Sequence, residues 1–334
     1  FYSQGSQLIA KDLRPEITNG FEGGVDFRLL GDRIDGSFTY YKTSSTNQVV
    51  SAGVSGSTGF TGYLLNAGEL TNKGVEAVLR FTPIRKNEWS LSVGGNYTYN
   101  ENELVALTSD LNRIAINGSS AIYGVVGQAF PVIIGTDYNR DPQGRVIVDR
   151  ITGNPSVSSE SRILGNTVPK HRLGLDMSVN YKGFRLTNVF EYRGGYFMYN
   201  TGNFDFSGSS GRSAYYNRER FVFPNSSFLD PATNEYVENR SVLISDGGAG
   251  FWTSNSYNMN VASNYLFSGN YWKWREVSLT YTVPAKALKN IKFIKSALIG
   301  FQGRNLFLFA PKSNEFTDPD YSANGDNNAV GVSN

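Results

Sequence analysis

The sequence predicts an all-β fold, a membrane-spanning antiparallel β-barrel, and three observations carry that expectation. Apolar and polar residues alternate with period two in segments of barrel-strand length. Every second connection between these segments is short and the others are long. Aromatic residues gather at the segment ends, as they do at lipid–water interfaces. Composition agrees: 334 residues carry 20 Tyr, 22 Phe and 36 Gly against 3 Met, a balance suited to many strands with glycine-rich turns rather than amphipathic helices.

The first hairpin is read at 25–30 and 34–41. Val25, Phe27, Leu29, Ile34, Gly36, Phe38 and Tyr40 form one side, and Asp26, Arg28, Asp35, Ser37 and Thr39 the other. The second spans 74–82 and 89–100. Its oily face carries Val75, Ala77, Leu79 and Phe81, then Trp89, Leu91, Val93, Gly95, Tyr97 and Tyr99; the opposite face includes Glu76, Arg80, Ser92 and Asn96. The third, at 173–181 and 184–192, sets Leu173, Leu175, Met177, Val179, Tyr181, Phe184, Leu186, Phe190 and Tyr192 against Arg172, Asp176, Asn180, Arg185, Thr187 and Glu191. The last pair lies at 277–283 and 297–301. Parity slips by one between Trp274 and Val277, which reads as a β-bulge, and Pro284 ends its strand because it cannot donate to a ladder.

Short turns at 31–33, 83–88, 182–183 and 284–293 alternate with long polar segments at about 42–73, 100–170, 194–270 and 304–334. A barrel threading a membrane produces this asymmetry, with long loops on one side, and a soluble sandwich has no reason to. The whole of 1–334 then reads as a single domain. Phe81, Trp89, Tyr181, Phe184 and Tyr281 would form a girdle by the short turns, and Tyr40, Tyr97, Tyr99 and Tyr192 one towards the long loops. Asp26, Arg28, Glu76, Arg80, Asp176, Arg185 and Glu191 all face inward, so the lumen is wide and either wet or filled by a polar plug.

Other classes are disfavoured. No apolar run reaches the roughly 18–20 residues of a spanning helix, and a weakly negative mean hydropathy is compatible with a barrel, whose strands alternate. The absence of Cys removes disulfides, thiol catalysis and cysteine zinc sites. With 31 basic and 29 acidic residues the net charge is +2, which offers no field for nucleic acid. The single histidine, His171, starts a strand without a partner carboxylate, so no catalytic residues are assigned and no enzyme activity is expected. Asp137, Asn139, Asp141 and Gly144, and likewise Asp318, Asp320, Asn324 and Asp326, have oxygen ligands but no complete calcium-loop pattern; they read as turn formers, and neither metal nor cofactor is expected. Both ends of the chain read as interior to a longer protein.

Asn66-Ala67-Gly68-Glu69-Leu70-Thr71-Asn72-Lys73-Gly74-Val75-Glu76 resembles a motif of the SusC/RagA family of TonB-linked outer-membrane proteins. Leu13-Arg14-Pro15-Glu16, Leu164-Gly165-Asn166 through Tyr181-Lys182-Gly183-Phe184, Trp274 to Pro284, Gly303-Arg304-Asn305-Leu306-Phe307 and Asp318-Pro319-Asp320 agree with it in the family's order. Asp320 stands where the family usually has Glu.

The resemblance implies a large plugged barrel of about 22 strands, of which this chain supplies roughly the last half. The plug, the TonB-contacting segment and the early strands are expected upstream and a final strand downstream. It further implies the outer membrane of a Gram-negative bacterium, a SusD-like surface lipoprotein as lid, the TonB complex as energy coupler, and a complex glycan or an oligopeptide as cargo. Candidate substrate contacts on the long loops are Tyr215, Tyr216, Arg218 and Trp252, with loop packing or partner contact as the other reading. A passive porin or receptor barrel, a secreted soluble carbohydrate-binding β-protein and, more weakly, an outer-membrane protease are the alternatives.

Overall fold

The computed structural model describes residues 7–60, 62–66, 68–107, 111–116, 121–200, 219–247, 249–291, 293–314, 317–321 and 331–333. Its centre is an eight-stranded antiparallel sheet in which each strand pairs with its neighbour in sequence. The strands are β1 (Ile17–Leu29), β2 (Ile34–Thr46), β3 (Gly68–Lys86), β4 (Trp89–Leu107), β5 (His171–Tyr181), β6 (Phe184–Gly194), β7 (Tyr271–Thr282) and β8 (Leu298–Phe309). They coincide with the eight alternating segments. An all-neighbour meander is the topology of an up-and-down barrel wall.

Register turns the alternation into two continuous faces. Phe38, Ala77, Tyr97, Leu173, Tyr192 and Trp272 lie in one cross-strand row over six strands. Trp89, Tyr181, Phe184 and Tyr281 form another at the turn end, with ring centroids 4.3 Å apart for Trp89–Tyr181 and 4.4 Å for Phe184–Tyr281. These are the two girdles. Between them Leu79 is 52% exposed and Leu279 43%, so protein does not cover this apolar face; lipid does. The opposite face carries Arg80, Gly94 and Asp176 in one row. Gly94 lacks the Cβ that would come within 2.4 Å of the Asp176 carboxylate, and Arg80 reaches Asp176 across it at 3.7 Å.

The anticipated bulge is present: register shifts between Trp274 and Glu276 against β8, and between Val189 and Phe190 against β7. Trp274 stays outside, stacked on Phe190 at 5.5 Å, while the extra residue, Arg275, reaches Glu191 on the lumenal face. Lys182 and Gly183 close their hairpin with φ of 46° and 89°, the left-handed pair that a two-residue turn demands.

Several boundaries differ from the sequence expectation. The 83–88 turn is only Asn87 and Glu88, because β3 continues to Lys86 past Pro83, which sits in a register shift between Phe81 and Ile84. A bulge tolerates a residue without an N–H. The 284–293 connection contains a short helix, Ala285–Leu288, and β8 begins only at Leu298.

The long segments begin later than expected, since β2, β4 and β8 run on to Thr46, Leu107 and Phe309. They are also less polar in effect. Leu70, Leu104, Ile114, Ile116, Ile122, Phe130 and Ile133 pack into one buried cluster, and Tyr138, Val146, Val148 and Val261 into a second. The buried cores therefore lie in the loop region, because the wall has lipid on one side and the lumen on the other. Small sheets organise them: 113–115, 122–125, 132–135 and 162–166 form one, and 146–147, 226–230 and 235–238 another.

Both outer strands of the wall, β1 and β8, have one edge unpaired among the described residues. Open ladder groups are not viable in hydrocarbon, so in the membrane each of these edges must pair with a strand.

Candidate functional site in the lumenal wall and loop vestibule

The lumenal face is built from hydroxyls, amides and balanced charge. Near the short turns, Ser90, Asn180, Arg185, Thr187, Ser278 and Thr280 share the lining of a recess of about 780 Å³ with the turn-end residues Trp89, Tyr181, Phe184 and Leu298, and the Asn180 amide there donates to Ser90 Oγ at 2.8 Å. Higher up, Tyr41 lies over Gly74 and donates to Asn100 Oδ1 at 2.9 Å. A Cβ on Gly74 would meet the Tyr99 carbonyl at 2.2 Å and the Tyr41 hydroxyl at 2.6 Å, which is why the Lys73-Gly74-Val75 motif carries glycine there.

At the loop end of β6 and β7 the face becomes a charge network. Glu191 accepts from Arg193 Nε and Arg275 Nε, each at 2.5 Å. Asp320 lies 2.5 Å from Arg275 Nη1, 3.2 Å from Lys273 Nζ and 3.3 Å from Arg193 Nη1, and accepts from the Tyr271 hydroxyl at 2.9 Å. Lys273, 7% exposed in its side chain, also reaches Asp318 at 2.7 Å. Three cations thus meet three carboxylates, and the segment after β8 is tied to the wall. Partial burial opposes charge on Asp320, but the hydrogen bonds from Arg275 and Tyr271 and the charges of Arg193 and Arg275 outweigh it, holding the carboxyl well below its usual range. Tyr196 donates to the Pro319 carbonyl at 3.4 Å, and burial pushes its hydroxyl pKa up.

A second carboxylate organises the loop around 137–158. Asp141 accepts from the Gln143 and Arg145 amides at 3.0 and 2.9 Å, Arg145 Nε at 2.6 Å and Ser227 Oγ at 2.7 Å. Desolvation opposes its charge, yet Ser227 and Arg145 hold it down to about 2. Both carboxylate oxygens are therefore engaged by protein donors, and Asp137 is engaged by Arg140 at 3.5 Å, in keeping with the turn reading of this cluster. Tyr138 Oη donates to the Tyr257 carbonyl at 2.9 Å, and its hydroxyl is raised to about 12, chiefly by burial.

Of the residues singled out for substrate contact, Tyr215, Tyr216 and Arg218 lie outside the described residues. Trp252 is half-buried, stacked on Phe221 at 5.6 Å and edge-on to Phe251 at 5.1 Å. His171 sits on the outward face, its Nδ1 2.8 Å from the Tyr97 hydroxyl. The charge network escaped sequence reasoning although Asp318-Pro319-Asp320 and the bulge at Arg275 were both legible; what was missing is that the two meet.

Comparison with known proteins fits this geometry. The family model described as TonB dependent receptor-like, beta-barrel, matches residues 1–306. TonB-dependent receptor P26 of Formosa agariphila is 24% identical over 88% of this chain and 30% of its own length. TonB-dependent receptor SusC of Bacteroides thetaiotaomicron is 26% identical over 79% of this chain and 27% of its own. The structure of the RagAB peptide importer in its closed-closed state superposes with a TM-score of 0.69 at 16% identity, covering 95% of this chain and 33% of that one. The chain spans about a third of the length of these relatives. With an all-neighbour barrel wall, two aromatic girdles, a polar lumen and a family match over nearly its whole length, the chain belongs to the TonB-dependent receptor-like β-barrel family.

Proposed function

We propose that the protein to which this wall belongs is an energised importer of the outer membrane of a Gram-negative bacterium. A large polar nutrient, an oligopeptide or a complex glycan, is captured at the loops, enclosed beneath a SusD-like surface lipoprotein, and released inward when a TonB-coupled plug is displaced. The observation that carries this reading is the continuous hydrogen-bonding lumenal face, leading from the charge network at the loop end to the serine- and threonine-lined recess at the turn end. Such a face suits sugar hydroxyls and peptide groups, and it gives a polar plug a surface to rest on without strong anchoring. The chemistry is binding and gating rather than bond cleavage. Tyr215, Tyr216, Arg218 and Trp252 are proposed as cargo contacts on the loops.

The test is uptake of labelled oligopeptides and glycans by cells expressing the full protein with its neighbouring lipoprotein. Accumulation against a gradient that collapses with the proton-motive force, or on deletion of TonB, is expected. Uptake indifferent to both treatments would make the protein a passive porin, and cleavage of the cargo by purified protein would make it an enzyme.

A further inference from the structure

We propose that the loop end of the lumenal wall carries a carboxylate subsite at Arg172, which holds an acidic end of the cargo. The inference rests on the import reading for the existence of a cargo and adds the chemistry that the cargo presents.

Register places Arg172 in a lumenal row with Glu76, Thr98, Arg193 and Tyr271. Arg172 and Arg193 are direct partners on β5 and β6, and like charges face to face disfavour a strand pair unless an anion offsets them. Arg193 has its anions: Glu191 accepts from its Nε at 2.5 Å, and Asp320 lies 3.3 Å from its Nη1. Arg172 forms no ion pair among the described residues.

The neighbouring carboxylates have no capacity left for it. Each oxygen of Asp320 already has two partners, the Tyr271 hydroxyl and Arg193 on Oδ1, and Lys273 and Arg275 on Oδ2. Glu191 gives one oxygen to Arg193 and the other to Arg275, and Asp318 is held by Lys273. Glu76 stands two strands away with Thr98 between, about 10 Å at ordinary strand spacing. Lys273, Arg193 and Arg275 thus match Asp318, Asp320 and Glu191, and the guanidinium of Arg172 is left over.

This surplus charge opens onto a cavity. Arg172 and Arg193 line a space of about 270 Å³ whose other walls include Tyr196, Met198 and Tyr321. Tyr196 and Met198 are buried, and Tyr321 is 61% exposed, so the space has an apolar floor and an aromatic rim. Its volume falls below the roughly 300 Å³ at which pockets for whole small ligands begin; it takes one end of a longer cargo. A carboxylate matches the planar fork of Arg172 with two parallel hydrogen bonds. The body behind it, a terminal side chain or a sugar ring, lies against Met198 and the face of Tyr321. Asp320 in the same wall disfavours a doubly charged group, so a carboxylate suits the cavity better than a phosphate.

The experiment measures binding by calorimetry to the full-length protein with its neighbouring lipoprotein in detergent. The probes are a tetrapeptide pool lacking Asp and Glu, with free or amidated C-termini, and tetragalacturonate or its methyl ester. In at least one pair the acid form is expected to bind about tenfold more tightly than its neutral counterpart, and Arg172→Gln to lose that preference. A preference confined to the peptides assigns the carboxylate to a chain terminus, and one confined to the uronates assigns it to an acidic glycan. Equal binding within both pairs by wild type, or no binding of any probe, overturns the proposal without requiring a variant to assemble; an undiminished preference in Arg172→Gln overturns it as well. Binding is read without energy coupling, so a lost acid preference with energised uptake intact removes this inference alone, and energy-independent uptake with the preference intact removes the import reading alone.

Discussion

Arg275 and Asp320, 45 residues apart in the chain, meet at 2.5 Å at the loop end of the lumenal wall. The contact exists because the bulge after Trp274 turns an extra residue inward, and the same guanidinium holds Glu191 through its Nε at 2.5 Å. One side chain thus joins two strands of the wall to the segment that follows the eighth.

Replacing Asp320 by Asn is expected to loosen that segment. Removing one partner of a sheltered ion pair leaves the other charge uncompensated, and because this network borders a wet lumen the cost is set at about 2 kcal/mol rather than the larger value of a deep pair. Amide exchange over 310–321 should quicken by about thirtyfold, with little change in β4 and β5. Unchanged exchange would show that Asp318 and Lys273 suffice. Arg275→Lys should lie between, since an ammonium cannot hold Glu191 and Asp320 with a planar fork.

The pH dependence has a definite sign. Asp320 and Asp141 are both held below the usual carboxylate range, Asp141 at about 2. A depressed carboxylate contributes stability that is present above its unfolded pKa of about 4 and is lost as pH falls through the folded value. Limited proteolysis of the 137–158 and 310–321 segments should therefore be constant from neutrality to about pH 5 and rise steeply only in strong acid. A transition near pH 6 would contradict the assignment.

Gly74→Ala should break the Tyr41–Asn100 hydrogen bond, because the new methyl lands where the Tyr41 ring and the Tyr99 carbonyl already are. Overpacking of this kind costs about 1–3 kcal/mol. A lowered temperature for loss of the folded barrel band on semi-native gels checks it, and Gly74→Ala combined with Tyr41→Ala should recover part of the loss.

The two faces separate by a paired substitution on β4. Leu91 opposes Val179 and Ile84 in the outward set, and Ser92 opposes Ser178 in the lumenal set. Leu91 lies two residues above the girdle residue Trp89, between interface and midplane, so Leu91→Arg should cost about 1–2 kcal/mol of barrel stability and Ser92→Arg much less. Folding titrations into lipid vesicles measure both, and equal tolerance would reverse the facing of the wall.

Much of the wall was legible because alternation is a local property. Val75, Ala77, Leu79 and Phe81 announce a lipid-facing strand within nine residues, and the parity slip at Trp274 announces a bulge within four. Boundaries were less legible. Pro83 suggested a turn, but a bulge absorbed it, and the upper ends of β2 and β4 carry polar residues because they stand beyond the membrane. Nor did the sequence disclose that its long segments hold the buried cores: Leu70, Leu104, Ile116 and Ile133 are scattered among polar neighbours and become one cluster only when distant loops pack.

By itself, then, the sequence determined the fold class, the facing of each spanning strand and the kinship of the chain, since strand period, girdle position and motif order are all written within short stretches. Only the tertiary structure decided which charges meet. Glu191, Arg275 and Asp320 are separated by loops of no regular pattern, and their encounter depends on register across β6 and β7 and on where the segment after β8 folds back. Long-range pairing of this kind has no local signature, and it is what joins the barrel wall to its vestibule.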